Sequence, residues 1–154
     1  MFNQFLPKRV DNAYRGQRPA LWLLGLAVLM KAGIGLECIF NGRHAAASAD
    51  GIPLDTFTSA GAQTVVALFA IWGLSQLVLC SLCVLALVRY RALVPLMYAV
   101  LLLEYLGRKG VLHYLPVPRV GPAPGVGVNA VLLVLMVVGL ALSLWAKGGH
   151  KTRE

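Results

Sequence analysis

The feature that most constrains this chain is a set of four apolar runs, each about long enough to cross a bilayer as a helix. They cover Ala20–Phe40, Ala62–Val88, Ala92–Lys109 and Val126–Ala146. A helix advances about 1.5 Å per residue, so about 20 residues match the ~30 Å of a hydrocarbon core. Four such runs in 154 residues leave too little chain for an aqueous domain. Composition points the same way: 58% of residues are hydrophobic and 13% charged, against about 45–50% and about 25% in soluble domains. The mean hydropathy is +0.74. The expected fold is all-α, a four-helix transmembrane bundle forming one integral membrane domain over residues 1–154, with no repeat between its halves.

The net charge of +8 would suit nucleic acid, but its distribution does not. Most basic residues stand in short segments that flank the apolar runs, as topology determinants and anionic-lipid contacts do. No nucleic-acid partner is expected. With the N-terminus inside, the cytoplasmic set is Lys8, Arg9, Arg15, Arg18, Arg89, Arg91, Lys147, Lys151 and Arg153, against Arg43, Arg108, Lys109 and Arg119 on the other side. Nine against four places both termini in the cytoplasm. Arg89–Arg91 then forms a tight inner turn. The N-terminal stretch is not read as a secretory signal, because its apolar run is too long and no small-residue cleavage site follows. "FNQFL" before Pro7 fits a surface-lying segment or a tail.

The two outer loops differ in kind. "NGRHAAASADGIPLDTFTSAG" is polar, with a turn at Gly51–Pro53 and Asp55 or Ser59 as candidate caps of the second helix, next to Thr56 and Thr58. "LHYLPVPRVGPAPGVGV" holds Pro116, Pro118, Pro122 and Pro124, whose fixed φ and missing donors favour an extended strap.

Charges inside the runs define the candidate site. Lys31 lies roughly 16 Å along the first span and Glu104 roughly 18 Å along the third. Glu37 and Arg108 lie roughly 25 Å and 24 Å along the same two spans. Both spans start on the same side, so these depths compare directly. An unpaired charge at mid-bilayer costs at least ~2.5–3.5 kcal/mol. The depths therefore predict a buried seam in which Lys31 meets Glu104 and Glu37 meets Arg108, with spans one and three side by side. Ala27 and Gly35 bracket Lys31 on one helical stripe and let another helix approach. Arg108 could also pair with Glu104 one turn away. Such a seam either fixes which helices pack together or handles a ligand or proton.

Other residues carry less. Cys80 and Cys83 share a helix face, but in hydrocarbon on the reducing side they read as small packing residues rather than a redox pair. Cys38 has no evident partner. His44, His113 and His150 fall in loops or the tail, which leaves no bis-histidine haem set within the spans. His44 and His113 could meet Asp50 or Asp55 around a metal only at the outer surface, and no metal site is assigned. Gln63, Ser75, Gln76, Asn129 and Ser143 suit interhelical hydrogen bonds. Trp22, Tyr90, Tyr105 and Trp145 stand near span ends, as an aromatic belt requires, while Trp72 falls inside. There is no nucleophile–base pair and no phosphate-binding glycine loop, so no catalytic residue is assigned.

Over residues 20–109 the chain resembles the DoxX-like group of small four-helix bacterial inner-membrane proteins. The resemblance rests on a first span ending in a Gly-containing outer loop, on "GIPLDTF" before the second helix, and on "RYRALVPLMYAVLL" leading into the third. It implies a bacterial inner membrane and, for some members, quinone-linked redox or sulfur metabolism. Lys31 and Glu37 on the first helix depart from the group's usual pattern, and no functional residue is carried over. Three functions are expected: a non-catalytic accessory or assembly subunit for a larger membrane partner, an oligomeric small-solute or proton transporter, or a quinone-linked redox component. Bound lipid or quinone is the expected cofactor class.

Overall fold

A computed structural model describes residues 11–120 and 123–145. The expectations placed on "FNQFL", Pro7, Pro122, Ala146, His150 and on Lys8, Arg9, Lys147, Lys151 and Arg153 fall outside these. All regular structure among the described residues is helical. Four long helices dominate: α1 (Arg18–Phe40), α2 (Ser59–Arg89), α3 (Val94–Tyr114) and α4 (Pro124–Leu144). A single turn at Gly42–His44, a π-helical turn at Ala45–Ala49 and 3-10 turns at Leu54–Thr56 and Arg91–Leu93 join them.

Proline starts three of the long helices. Pro19, Pro95 and Pro124 sit in the first turns of α1, α3 and α4, where the missing N–H has no intrahelical partner to lose. The Pro-rich strap is therefore shorter than expected, since its last proline opens α4. The cap of α2 is Thr58, not Asp55 or Ser59: its Oγ1 accepts from the Gly61 N–H at 3.1 Å. Asp55 is drawn off to Arg43 at 3.1 Å. Gly51 takes a left-handed φ of 71°, and its carbonyl accepts from the Val120 N–H at 2.8 Å. The strap is thus pinned over the polar loop, forming the loop end of the bundle.

Around the ring, α1 packs mainly on α2 and α4, and α3 mainly on α4. Helices α1 and α3 face each other across a diagonal, which corrects the side-by-side arrangement expected from matched depths. The reason is the α1–α2 seam. Gly35 and Gly73 bring the two backbones together so closely that a Cβ on Gly73 would lie 2.5 Å from the Gly35 carbonyl oxygen. Small residues give helices their closest approach, and α1 spends its small face on α2. The core joins all four helices through Leu24, Ala27, Cys83, Tyr98, Leu101, Leu132 and Met136. Cys80 and Cys83 are buried packing residues within it.

Three helices are long and apolar enough to cross a membrane: α1 with 23 residues, α2 with 31 and α4 with 21. Helix α3 falls outside that group because Glu104, Arg108 and Lys109 lie along it.

Candidate functional site

Glu104 is the centre of a polar chain that touches every long helix. Lys31 Nζ on α1 donates to Glu104 Oε2 at 2.9 Å, with Lys31 only 4% exposed and Glu104 23%. Gln76 Nε2 on α2 donates to Glu104 Oε1 at 3.0 Å. One turn further along α3, Arg108 Nε stands 3.8 Å from the same oxygen. Arg108 Nη2 donates to Asn129 Oδ1 on α4 at 3.0 Å, and Asn129 Nδ2 donates to the Gly125 carbonyl at 2.8 Å. The Arg108 guanidinium also lies 4.9 Å from the Trp72 ring centre and 5.6 Å from that of Tyr105, a cation–π placement.

The expected meeting of Lys31 with Glu104 is therefore present, and that of Glu37 with Arg108 is not. Glu37 Oε1 stands 2.9 Å from His44 Nδ1 instead, with 41% of its side chain exposed. The chain turns back just after α1 and carries His44 over the last helical turn. Arg108 is drawn inward by Trp72 and Asn129. Depth along a helix was legible; rotation about its axis was not. Four residues of the candidate site thus divide into an interior trio, in which Lys31 is buried and Glu104 and Arg108 are half-buried, and a surface pair built on Glu37.

Gln76 and Asn129 make interhelical hydrogen bonds, as expected of them, but to the charged groups themselves; Asp50, Phe69 and Arg119 were not among the expected site residues. Phe69, Trp72, Gln76, Cys80 and Cys83 recur at helical spacing on one face of α2. That stripe, with an aromatic ring away from either span end, was the available signal.

The loop end is hollow. A cavity of about 220 Å³ lies between α2, α3 and the strap, lined by Leu68, Trp72, Arg108, Val117 and Arg119 among others. A second, of about 230 Å³, lies among α1, α2 and α4 beside Ile34, Glu37 and Asn129. Asp50, Phe69 and Trp72 line both. Each is smaller than the ~300–1,000 Å³ of typical small-molecule sites.

Towards the opposite end the polar chain stops at Lys31. The core there is Ala20, Leu24, Ala27, Val94, Leu101, Leu132 and Met136. Its buried Tyr98 hydroxyl is occupied in donating to the Ala20 carbonyl at 2.7 Å. The segment before α1 lies across that end. The Asp11 carbonyl accepts from the Ala92 N–H at 3.3 Å, and the Gln17 N–H donates to the Leu142 carbonyl at 3.1 Å. Within this segment the Tyr14 hydroxyl is buried without a partner among the described residues, and burial pushes its pKa up to about 12.

The residues weighed for a metal have separate partners: His44 holds Glu37, Asp55 holds Arg43, and His113 meets Tyr114 edge-on. Among the described residues no cluster of three metal-ligating side chains forms. Compared with known protein families, curated proteins and solved structures, the chain matches none.

Proposed function

We propose that this chain is a multi-pass protein of a bacterial-type inner membrane, crossing it four times with both termini in the cytoplasm. In this reading it is a non-catalytic accessory or assembly subunit that binds a larger membrane-protein partner. The observation that carries the reading is the polar chain that ties the helices together. Lys31, Gln76, Glu104, Arg108 and Asn129 are linked across four helices and end at an apolar core. That arrangement holds helices together and offers neither a nucleophile nor a polar route through one copy.

Helix α3 belongs among the spans for a physical reason. Its two central charges turn inward to Lys31, Gln76 and Asn129, while Leu103, 73% exposed, and Leu106 face outward. A charge satisfied within the bundle spares the lipid-exposure cost. Lys109, near the end of the span, can extend its ammonium to the headgroups. The excess of Lys and Arg on the terminal side supports the orientation, and the DoxX-like organisation of residues 20–109 supports the bacterial membrane. Reporter fusions ending after Arg91 and after Arg119 are expected on opposite sides, the first cytoplasmic. Leu29, Ile71 and Val134 leave broad apolar faces on α1, α2 and α4, available to lipid or to a partner.

Gentle solubilisation followed by native mass spectrometry tests the partner reading. Stoichiometric partner chains are expected. A chain that always purifies alone, at any detergent mildness, overturns it. The second reading is an oligomeric transporter, favoured by loop-end cavities that reach Arg108. Proteoliposome flux that persists in the double variant Lys31→Met/Glu104→Gln eliminates a role for the seam in it.

A further inference from the structure

The buried chain does not balance its charge. Lys31 and Arg108 bring two cations to one carboxylate, Glu104. Glu37, the acid at matching depth, is engaged by His44 at the surface. Among the described residues no second carboxylate lies within ion-pair distance of Arg108, and Arg108 Nε is buried with no hydrogen-bond partner. A guanidinium held this way, half out of water, retains donors and a net positive field.

That guanidinium forms one wall of the 220 Å³ cavity. Arg119 on the strap stands at the same cavity, and a narrow neighbouring space of about 40 Å³ adds Lys109 to Arg108, Arg119 and Asp50. Three cations against Asp50 leave the loop end positive. The remaining walls are apolar: Ile52, Leu68, Phe69, Trp72, Leu112 and Val117. Leu68 on α2 and Val117 on the strap are exposed residues of its lining, so apolar surface of the cavity is open to acyl chains on this side. Arg108 is six residues short of the end of α3 at Tyr114, roughly 9 Å in, which is a depth that a lipid head reaches.

We infer that this lateral cavity binds an anionic lipid, its phosphate oxygens taken by Arg108 and Arg119 and the start of an acyl chain laid along Leu68, Phe69 and Trp72. Arg supplies the planar, multi-donor recognition that phosphate favours. The ligand supplies the missing negative charge of the seam. Asp50, in the same lining, opposes the anion and weakens its binding. The inference rests on the membrane reading above and not on the partner reading, because it is tested equally on a chain that purifies alone.

The test uses the full chain in nanodiscs, with native mass spectrometry counting lipids retained as collision energy rises. Phosphatidylglycerol is compared with phosphatidylcholine of identical acyl chains, with inorganic phosphate as a competitor. Phosphatidylglycerol is expected to be held about tenfold more tightly, because both lipids present the same phosphodiester oxygens and only the choline cation of phosphatidylcholine cancels the negative charge that the site attracts. Arg108→Gln should abolish the preference and Arg119→Gln should reduce it, while Asp50→Asn should strengthen it. If Arg108→Gln fails to fold, the opposite responses of Arg119→Gln and Asp50→Asn, both at surface-accessible positions, decide the matter. Equal retention of the two lipids, or a preference indifferent to Arg119 and Asp50, overturns the inference. Retention of inorganic phosphate with no selective retention of either lipid overturns lipid as the occupant and assigns the site to a free anion.

Discussion

Lys31 Nζ and Glu104 Oε2 stand 2.9 Å apart although their helices occupy a diagonal of the bundle. Neither backbone comes close to the other over much of its length, so the two long side chains bridge the centre. Gln76 and Arg108 then converge on the same carboxylate from other directions. Glu104 is the group that Lys31, Gln76 and Arg108 share.

Removing it should therefore be severe. Glu104→Gln leaves Lys31 and Arg108 buried without a counter-charge and is expected to cost ~3–5 kcal/mol. Thermal unfolding in mild detergent measures it. Lys31→Met in the Glu104→Gln background should recover part of that loss. A double-mutant cycle with coupling near zero would show that the two side chains are independent.

Glu37→Gln tests the opposite side of the argument. Its carboxylate is 41% exposed and faces His44, so the change should stay within ~0.5 kcal/mol. A loss as large as that of Glu104→Gln would return Glu37 to the buried seam.

Helix contact can be probed at glycines. Gly73→Ala drives a methyl against the Gly35 carbonyl at 2.5 Å and is expected to cost ~1–3 kcal/mol by overpacking. Gly139→Ala should do likewise, because the new methyl would collide with the Tyr98 ring. Gly107 has open space around it, and Gly107→Ala should be neutral or stabilising by up to ~1 kcal/mol through helix propensity. Melting temperatures of the three variants give the order directly.

Tyr14 makes the fold sensitive to alkali. Its pKa is pushed from the usual 10 up to about 12 by burial, so the folded chain holds the phenolic proton more tightly than the unfolded one. The resulting stability is complete below pH 10 and is lost as pH climbs from 10 towards 12. Tyr14→Phe should flatten that part of the stability–pH curve. It should also leave neutral-pH stability unchanged or higher, since a buried hydroxyl without a partner among the described residues disappears.

Much of this protein was legible in its residues. Apolar runs of spanning length gave the four long helices to within a few positions, and matched depths found the contact between Lys31 and Glu104. These properties are one-dimensional: length, spacing and distance along a helix survive unchanged when the chain folds. The cap at Thr58, the early start of α4 and the π-helical turn at Ala45–Ala49 were hidden, because competing local choices such as Asp55 were settled by partners distant in the sequence.

What only the tertiary structure decided is rotation and neighbourhood. Four helices of similar polarity allow several rings, and hydropathy alone scarcely distinguishes them. The close fit of Gly35 on Gly73 placed α1 against α2 and left α3 across the diagonal. That placement turned Arg108 towards Trp72 and Asn129, released Glu37 to His44, and opened the cavities at the loop end. The physical reason is that helix packing responds to the shape of facing surfaces, and shape exists only once the faces have met.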